Sequence, residues 1–77
     1  MKGTQNIVGP QIGAVRTRRN FSQEELAAKC GVLGLDISRG TLAKIESQVR
    51  CVNDGELRLL ARALGVKIEE LYPETKR

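Results

Sequence analysis

Apolar residues recur along this chain at helical spacing, and no stretch shows the strict alternation of a half-buried strand. Val8, Ile12 and Val15 follow one another at intervals of four and three around Gly9-Pro10. Proline suits the first turn of a helix, where its missing N–H has no intrahelical partner to lose. The spacing predicts a first helix running to about Arg19. Ser22-x-x-Glu25 then reads as a capping box, in which hydroxyl and carboxylate each satisfy an otherwise orphan backbone N–H. Phe21 stands just ahead of that cap, placed to staple onto Leu26. Leu26, Ala27 and Cys30 form the inner stripe of this second helix, and Gly31 is expected to end it in a left-handed C-cap.

A third helix is predicted from Ser38 to near Ser47, with Ile37 and Leu42 as a second staple and Leu42 and Ile45 turned inward. Past a loop at 48–52, Asn53-x-x-Glu56 marks another helix start. Leu57, Leu60, Ala61 and Leu64 fall at i, i+3, i+4 and i+7, a complete amphipathic repeat, and Gly65 closes it. Residues 68–72 give one last helical turn or two before Pro73. The expected architecture is all-α and compact, with five short helices: an N-terminal arm at 1–6, one domain at 7–73 and a tail at 74–77.

The chain has 77 residues, room for one domain with a thin core. That leaves no space for a pocket walled off from water. Histidine is absent and there are 2 cysteines, Cys30 and Cys51. No nucleophile–base pair and no metal-ligand cluster can be assembled from such a set, so neither catalysis, a metal, a cofactor nor a small-molecule substrate is expected. The two thiols are expected to be reduced and half-buried. No apolar run approaches the roughly 20 residues that span a bilayer, and the N-terminus lacks the apolar core of a signal peptide, which points to no membrane association and a cytoplasmic location. Aromatic residues make up 3%, too few for stacking single-stranded bases. The net charge of +4 fits a polyanionic partner.

The third helix carries the informative pattern. At 100° per residue, with Leu42 at the centre of the buried side, Ile45 and Glu46 share that side. Gly40, Ala43, Lys44 and Ser47 lie opposite, and Arg39 projects from the first turn. A face of small residues and two cations can sink into the major groove of duplex DNA, where Arg39 and Lys44 reach guanine acceptors or phosphates. Glu46, by contrast, carries a charge on an apolar side, and Arg16 sits at the edge of the first helix's apolar stripe. Two opposite charges facing one small core suggest an ion pair joining the first and third helices, which would fix geometry more than add stability.

The string Ser22-Gln23-Glu24-Glu25-Leu26-Ala27, then Cys30-Gly31-Val32, then Ser38-Arg39-Gly40-Thr41-Leu42-Ala43-Lys44-Ile45-Glu46 resembles the phage-repressor and Cro-like helix-turn-helix family, often called the XRE family. Leu60-Ala61-Arg62-Ala63-Leu64-Gly65-Val66 and Glu70-Leu71-Tyr72 resemble its fourth and fifth helices. The resemblance covers residues 7 to 73 and implies a lambda-repressor-like fold. It implies a sequence-specific binder of double-stranded DNA, a transcriptional regulator and repressor, acting as a homodimer on a two-fold operator. It places Gln23 against phosphate at the start of the second helix, and Arg39, Gly40, Thr41, Ala43 and Lys44 on the recognition helix. Arg16 and Glu46 match the family's internal ion pair. Gly40 departs from the pattern, offering no side chain where the family often reads a base. The connection at 32–37 is also longer than the family's tight turn, and its Leu33, Leu35 and Ile37 are expected to pack as a flap.

Other residues extend this reading. Arg50 follows the recognition helix and is a candidate phosphate contact, with Arg18, Arg19 and Lys29 as further cations. Arg62, Lys67, Lys76 and Arg77 read as solvated, and Glu69, Glu70 and Glu74 as acids turned away from DNA. Leu59, Val66, Leu71 and Tyr72 are candidates for a dimer contact, or complete the core. The competing reading is a protein-interaction module, antitoxin-like or an antirepressor partner, which would carry apolar anchors on the third helix's outer face.

Overall fold

The computed structural model describes residues 7–72, so the expected arm at 1–6, the stop at Pro73 and the tail at 74–77 lie outside the described residues. Four α-helices follow in order: α1 (Gly9–Arg18), α2 (Gln23–Val32), α3 (Arg39–Glu46) and α4 (Asp54–Leu64). The fifth expected helix is instead a single 3₁₀ turn, Ile68–Leu71, and no strand occurs among the described residues.

Side-chain caps start the three later helices. The Ser22 hydroxyl accepts from the Glu25 N–H at 3.0 Å while the Glu25 carboxylate accepts from the Ser22 N–H at 2.8 Å. Asn53 and Glu56 repeat that exchange at the head of α4, and the Ser38 hydroxyl accepts from the Thr41 N–H at the head of α3. Each cap satisfies donors that a helix cannot use internally, an effect typically worth about 1 kcal/mol. At the other end of α4, Gly65 takes the left-handed conformation (φ 76°), and the Val66 N–H reaches back to the Ala61 carbonyl at 3.0 Å. This closure leaves no β-carbon to strain the turn.

The end of α2 differs from expectation. Gly31 stays helical, the helix runs on to Val32, and the left-handed glycine is Gly34 (φ 98°). Packing sets this point: the Leu35 N–H returns to the Cys30 carbonyl at 2.8 Å, and Leu33, Leu35 and Ile37 turn back onto the core, half-buried.

Ile12 and Val15 of α1, Leu26 and Cys30 of α2, Leu42 and Ile45 of α3, Leu60 and Leu64 of α4 and Leu71 of the 3₁₀ turn are fully buried together. α3 packs on α1 and α2, α2 packs on α4, and the 3₁₀ turn bridges α1 and α4. The Gln11 amide ties that bridge by donating to the Glu70 carbonyl at 3.2 Å. Of the four residues left between a dimer contact and the core, Leu71 completes the core, Leu59 and Val66 are half-buried and Tyr72 is exposed. One expectation is overturned by this packing. The thiols are not both half-buried: Cys30 is buried and Cys51 is exposed, and neither forms a disulfide. Burial pushes the Cys30 thiol up from its ordinary range and keeps it protonated.

Candidate nucleic-acid interface

α3 is eight residues long, about 12 Å, and its two sides have opposite character. Leu42 and Ile45 are buried. Arg39, Gly40, Lys44 and Ser47 are exposed, and Thr41 and Ala43 lie at the margins, half-buried. The Thr41 hydroxyl accepts from the Ser38 hydroxyl at 3.1 Å, which turns it toward the cap. A β-carbon built on Gly40 would meet only the Ser38 hydroxyl, at 3.8 Å, so packing does not demand glycine there. Its absence of side chain keeps the outer surface low between two cations.

Behind this face, one carboxylate joins three helices. Arg16 Nε donates to Glu46 Oε2 at 2.7 Å and Arg16 Nη2 donates to Glu46 Oε1 at 3.1 Å, a two-pronged pair between α1 and α3. Arg16 Nη1 donates to the Phe21 carbonyl at 2.8 Å, which fixes the chain just before α2. Gln23, the first residue of α2, donates from Nε2 to Glu46 Oε1 at 3.1 Å. The side chains of Arg16 and Glu46 retain 17% and 12% exposure, so water screens the pair only weakly. Each of these bonds to Glu46 comes from another helix, and together they set the roll of α3 about its own axis.

Sequence reasoning missed the residue that makes room for this junction. A β-carbon on Gly13 would stand 3.1 Å from Glu46 Oε1 and 3.3 Å from Cδ, so glycine in mid-helix lets the carboxylate lie against α1. The available signal was a glycine inside a helical pattern three residues before the arginine. Gln23 was also read only toward phosphate, whereas one of its two amide hydrogens is given to Glu46.

Arg50 stands apart from the other site residues. Its guanidinium donates to Glu56 Oε2 at 2.7 Å, to Glu56 Oε1 at 3.1 Å and to the Cys51 carbonyl at 2.9 Å. The Arg50 hydrogen bond holds the Glu56 carboxyl below its ordinary range, against the opposing effect of burial, and the same bond raises Arg50. In the folded chain this guanidinium braces the loop between α3 and α4. That loop leaves α3 sharply: Gln48 is left-handed (φ 72°), the Val49 and Arg50 N–H groups both return to the Lys44 carbonyl, and Val49 stands 74% exposed beside the end of the helix.

A protein-family model described as helix-turn-helix matches residues 12–71, from the middle of α1 to the end of the 3₁₀ turn. The chain is a helix-turn-helix protein. No curated protein and no solved structure matches it. The matched family is that of the phage-repressor and Cro-like regulators, so this helix-turn-helix protein is in general terms a DNA-binding regulator, built on a regulatory rather than a catalytic domain. Among the described residues no helix is long and apolar enough to cross a membrane.

Proposed function

We propose that the helix-turn-helix protein is a sequence-specific repressor that reads the major groove of duplex DNA with α3 and acts as a homodimer on a two-fold operator. The observation that carries this reading is the outer face of α3: Arg39, Gly40, Lys44 and Ser47 are all exposed, and none of them is acidic or large and apolar. Such a face enters the groove without steric hindrance and offers cationic donors to guanine N7 and O6. A protein-binding helix would present apolar anchors instead.

In this mechanism Arg39 and Lys44 reach base edges or phosphates, Thr41 and Ala43 line the flanks, and Gly40 and Ser47 permit close approach of the backbone. Gln23 contacts phosphate at the N-terminus of α2, where helix N–H groups and the positive end of the dipole favour an anion. The Arg16–Glu46 pair orients α3 for this task, and Arg50 supports the loop behind it. The connection at 33–38 acts as a lengthened turn whose apolar residues lie on the core. One recognition helix reads only a few base pairs, so two copies with helices about 34 Å apart give useful specificity.

Selection of bound sequences from random duplex DNA tests this, run in parallel on Lys44→Ala. The expected result is a palindromic consensus that relaxes at one position per half-site in the variant. Affinity should fall steeply with salt, because each phosphate neutralised releases counterions. Recovery of unenriched sequence, or an affinity indifferent to salt, would overturn the reading.

A further inference from the structure

Away from α3, the C-terminal parts of α2 and α4 form an open groove of about 200 Å³ lined by Lys29, Val32, Leu33, Arg62 and Ala63. Val32 is 87% exposed, the highest of any large apolar side chain among the described residues. Leu33 and Ala63 lie deeper and belong to the packing of the core. Neither Lys29 nor Arg62 pairs with a carboxylate among the described residues. Lys29 rests over the Phe21 ring at 5.2 Å, and the nearest acid before it on α2, Glu25, accepts from the Ser22 N–H instead. Arg58, one turn before Arg62 on the same face of α4, is exposed as well and extends the positive edge.

The groove is smaller than the roughly 300–1,000 Å³ of small-molecule sites, so it holds one protruding side chain rather than a metabolite. Its walls ask two things of an occupant. Val32 and Leu33 need an apolar group against them to leave water. Lys29 and Arg62 need anions beside that group. A nucleic-acid backbone answers the cations and leaves Val32 in water. A second copy brings a chain of net charge +4 against a cationic surface. An acidic peptide segment with a single large apolar residue among its carboxylates answers both demands. The lining shares no residue with the outer face of α3.

We propose that this groove docks an acidic segment of a different protein, which sets one apolar side chain against Val32 and Leu33 and places carboxylates on Lys29 and Arg62. The surface is additional to the DNA-reading face and does not depend on it. Its five lining residues are far fewer than the roughly 20–30 a side of a standard interface, so the contact is weak and reversible. Attraction between unlike charges speeds the encounter and makes the affinity fall with salt.

Titration of the isotope-labelled full chain with the synthetic peptide Glu-Asp-Phe-Asp-Glu, followed by amide NMR shifts, tests the proposal. The expected result is saturable shifts at Lys29, Val32, Leu33, Arg62 and Ala63. Val32→Ser and Arg62→Glu, both at exposed positions, should each weaken binding by about tenfold or more, with circular dichroism confirming that each variant folds. A peptide with serine in place of its phenylalanine should bind about tenfold more weakly or worse. Shifts that never saturate, or variants that bind as the wild type does, would overturn the proposal. So would shifts centred on Arg39 and Lys44, or a serine peptide that binds as well, since either marks a general attraction of acid to a basic chain. A random-sequence duplex that shifts the same five amides and displaces the peptide would show that the groove faces nucleic acid. Shifts there that grow with protein concentration alone would show a second copy in it. Both of these results also overturn the proposal, and none of these outcomes decides whether α3 reads an operator.

Discussion

Replacing Glu46 by glutamine keeps the shape of the side chain but removes the charge on which Arg16 and Gln23 converge. Breaking a fully buried ion pair costs roughly 3–5 kcal/mol, most of it from the partner left uncompensated. Here the two side chains keep 17% and 12% exposure, and Arg16 retains its bond to the Phe21 carbonyl. The loss should therefore fall to about 2 kcal/mol. For a domain of this size 1 kcal/mol moves the midpoint by roughly 4–8 °C, so Glu46→Gln should melt about 8–16 °C lower. Thermal melts followed by circular dichroism read this directly, with Arg58→Ala, an exposed cation on α4, as the control. A companion variant, Arg16→Met with Glu46→Leu, should recover much of the stability by replacing two charges with apolar volume. It should still bind DNA less well, because the bonds that set the roll of α3 are gone. A Glu46→Gln midpoint no lower than that of Arg58→Ala would refute the reasoning. So would a double variant that binds DNA like the wild type.

Other outcomes follow from the same geometry. Gly65→Ala should cost about 1–2 kcal/mol, since a left-handed φ strains any β-carbon, and this one would also stand 3.1 Å from Arg19 Nη2; a chemical-denaturation midpoint reports it. Cys51 should be alkylated rapidly in the folded protein while Cys30 reacts only on unfolding, a difference that mass spectrometry with and without denaturant resolves. Glu56 has its folded pKa lowered by Arg50, so its contribution is complete above the unfolded carboxylate value near about 4.3 and fades as pH falls through the lower folded value. The midpoint difference between wild type and Glu56→Gln should thus be widest near neutrality and close to nil in strong acid; a gap that persists there would contradict this assignment.

Much of the fold was legible because its signals are local. Ser22, Ser38 and Asn53 each cap the helix they announce, and Leu57, Leu60, Ala61 and Leu64 all lie in the core. The Arg16–Glu46 contact could be anticipated because a charge on an apolar stripe needs a partner, and only one opposite charge was in the same position. What escaped was decided at a distance. Gly31 carries the composition of a helix end, yet the helix runs on to Val32 before Leu33 and Leu35 turn onto the core. The pairing of Arg50 with Glu56 also escaped, because the visible duty of Glu56 was only to cap α4. Cys51 follows no periodicity in its loop, so its exposure had no signal of the kind that put Cys30 on the inner stripe of α2. Gly13 has no side chain to form a pattern, and its importance arises from a carboxylate thirty-three residues away.

The division of labour within α3 carries a consequence for how such a domain changes over time. Leu42, Ile45 and Glu46 hold the helix in place, whereas the side chains of Arg39 and Lys44 are exposed and a β-carbon at position 40 would make only an ordinary contact with the Ser38 hydroxyl. Surface exchanges of this kind usually alter stability by less than about 0.5 kcal/mol. Under the proposed reading of DNA by α3, drift at these positions rewrites the preferred operator while folding stays intact, and a laboratory seeking a new target sequence could diversify them without first reinforcing the scaffold.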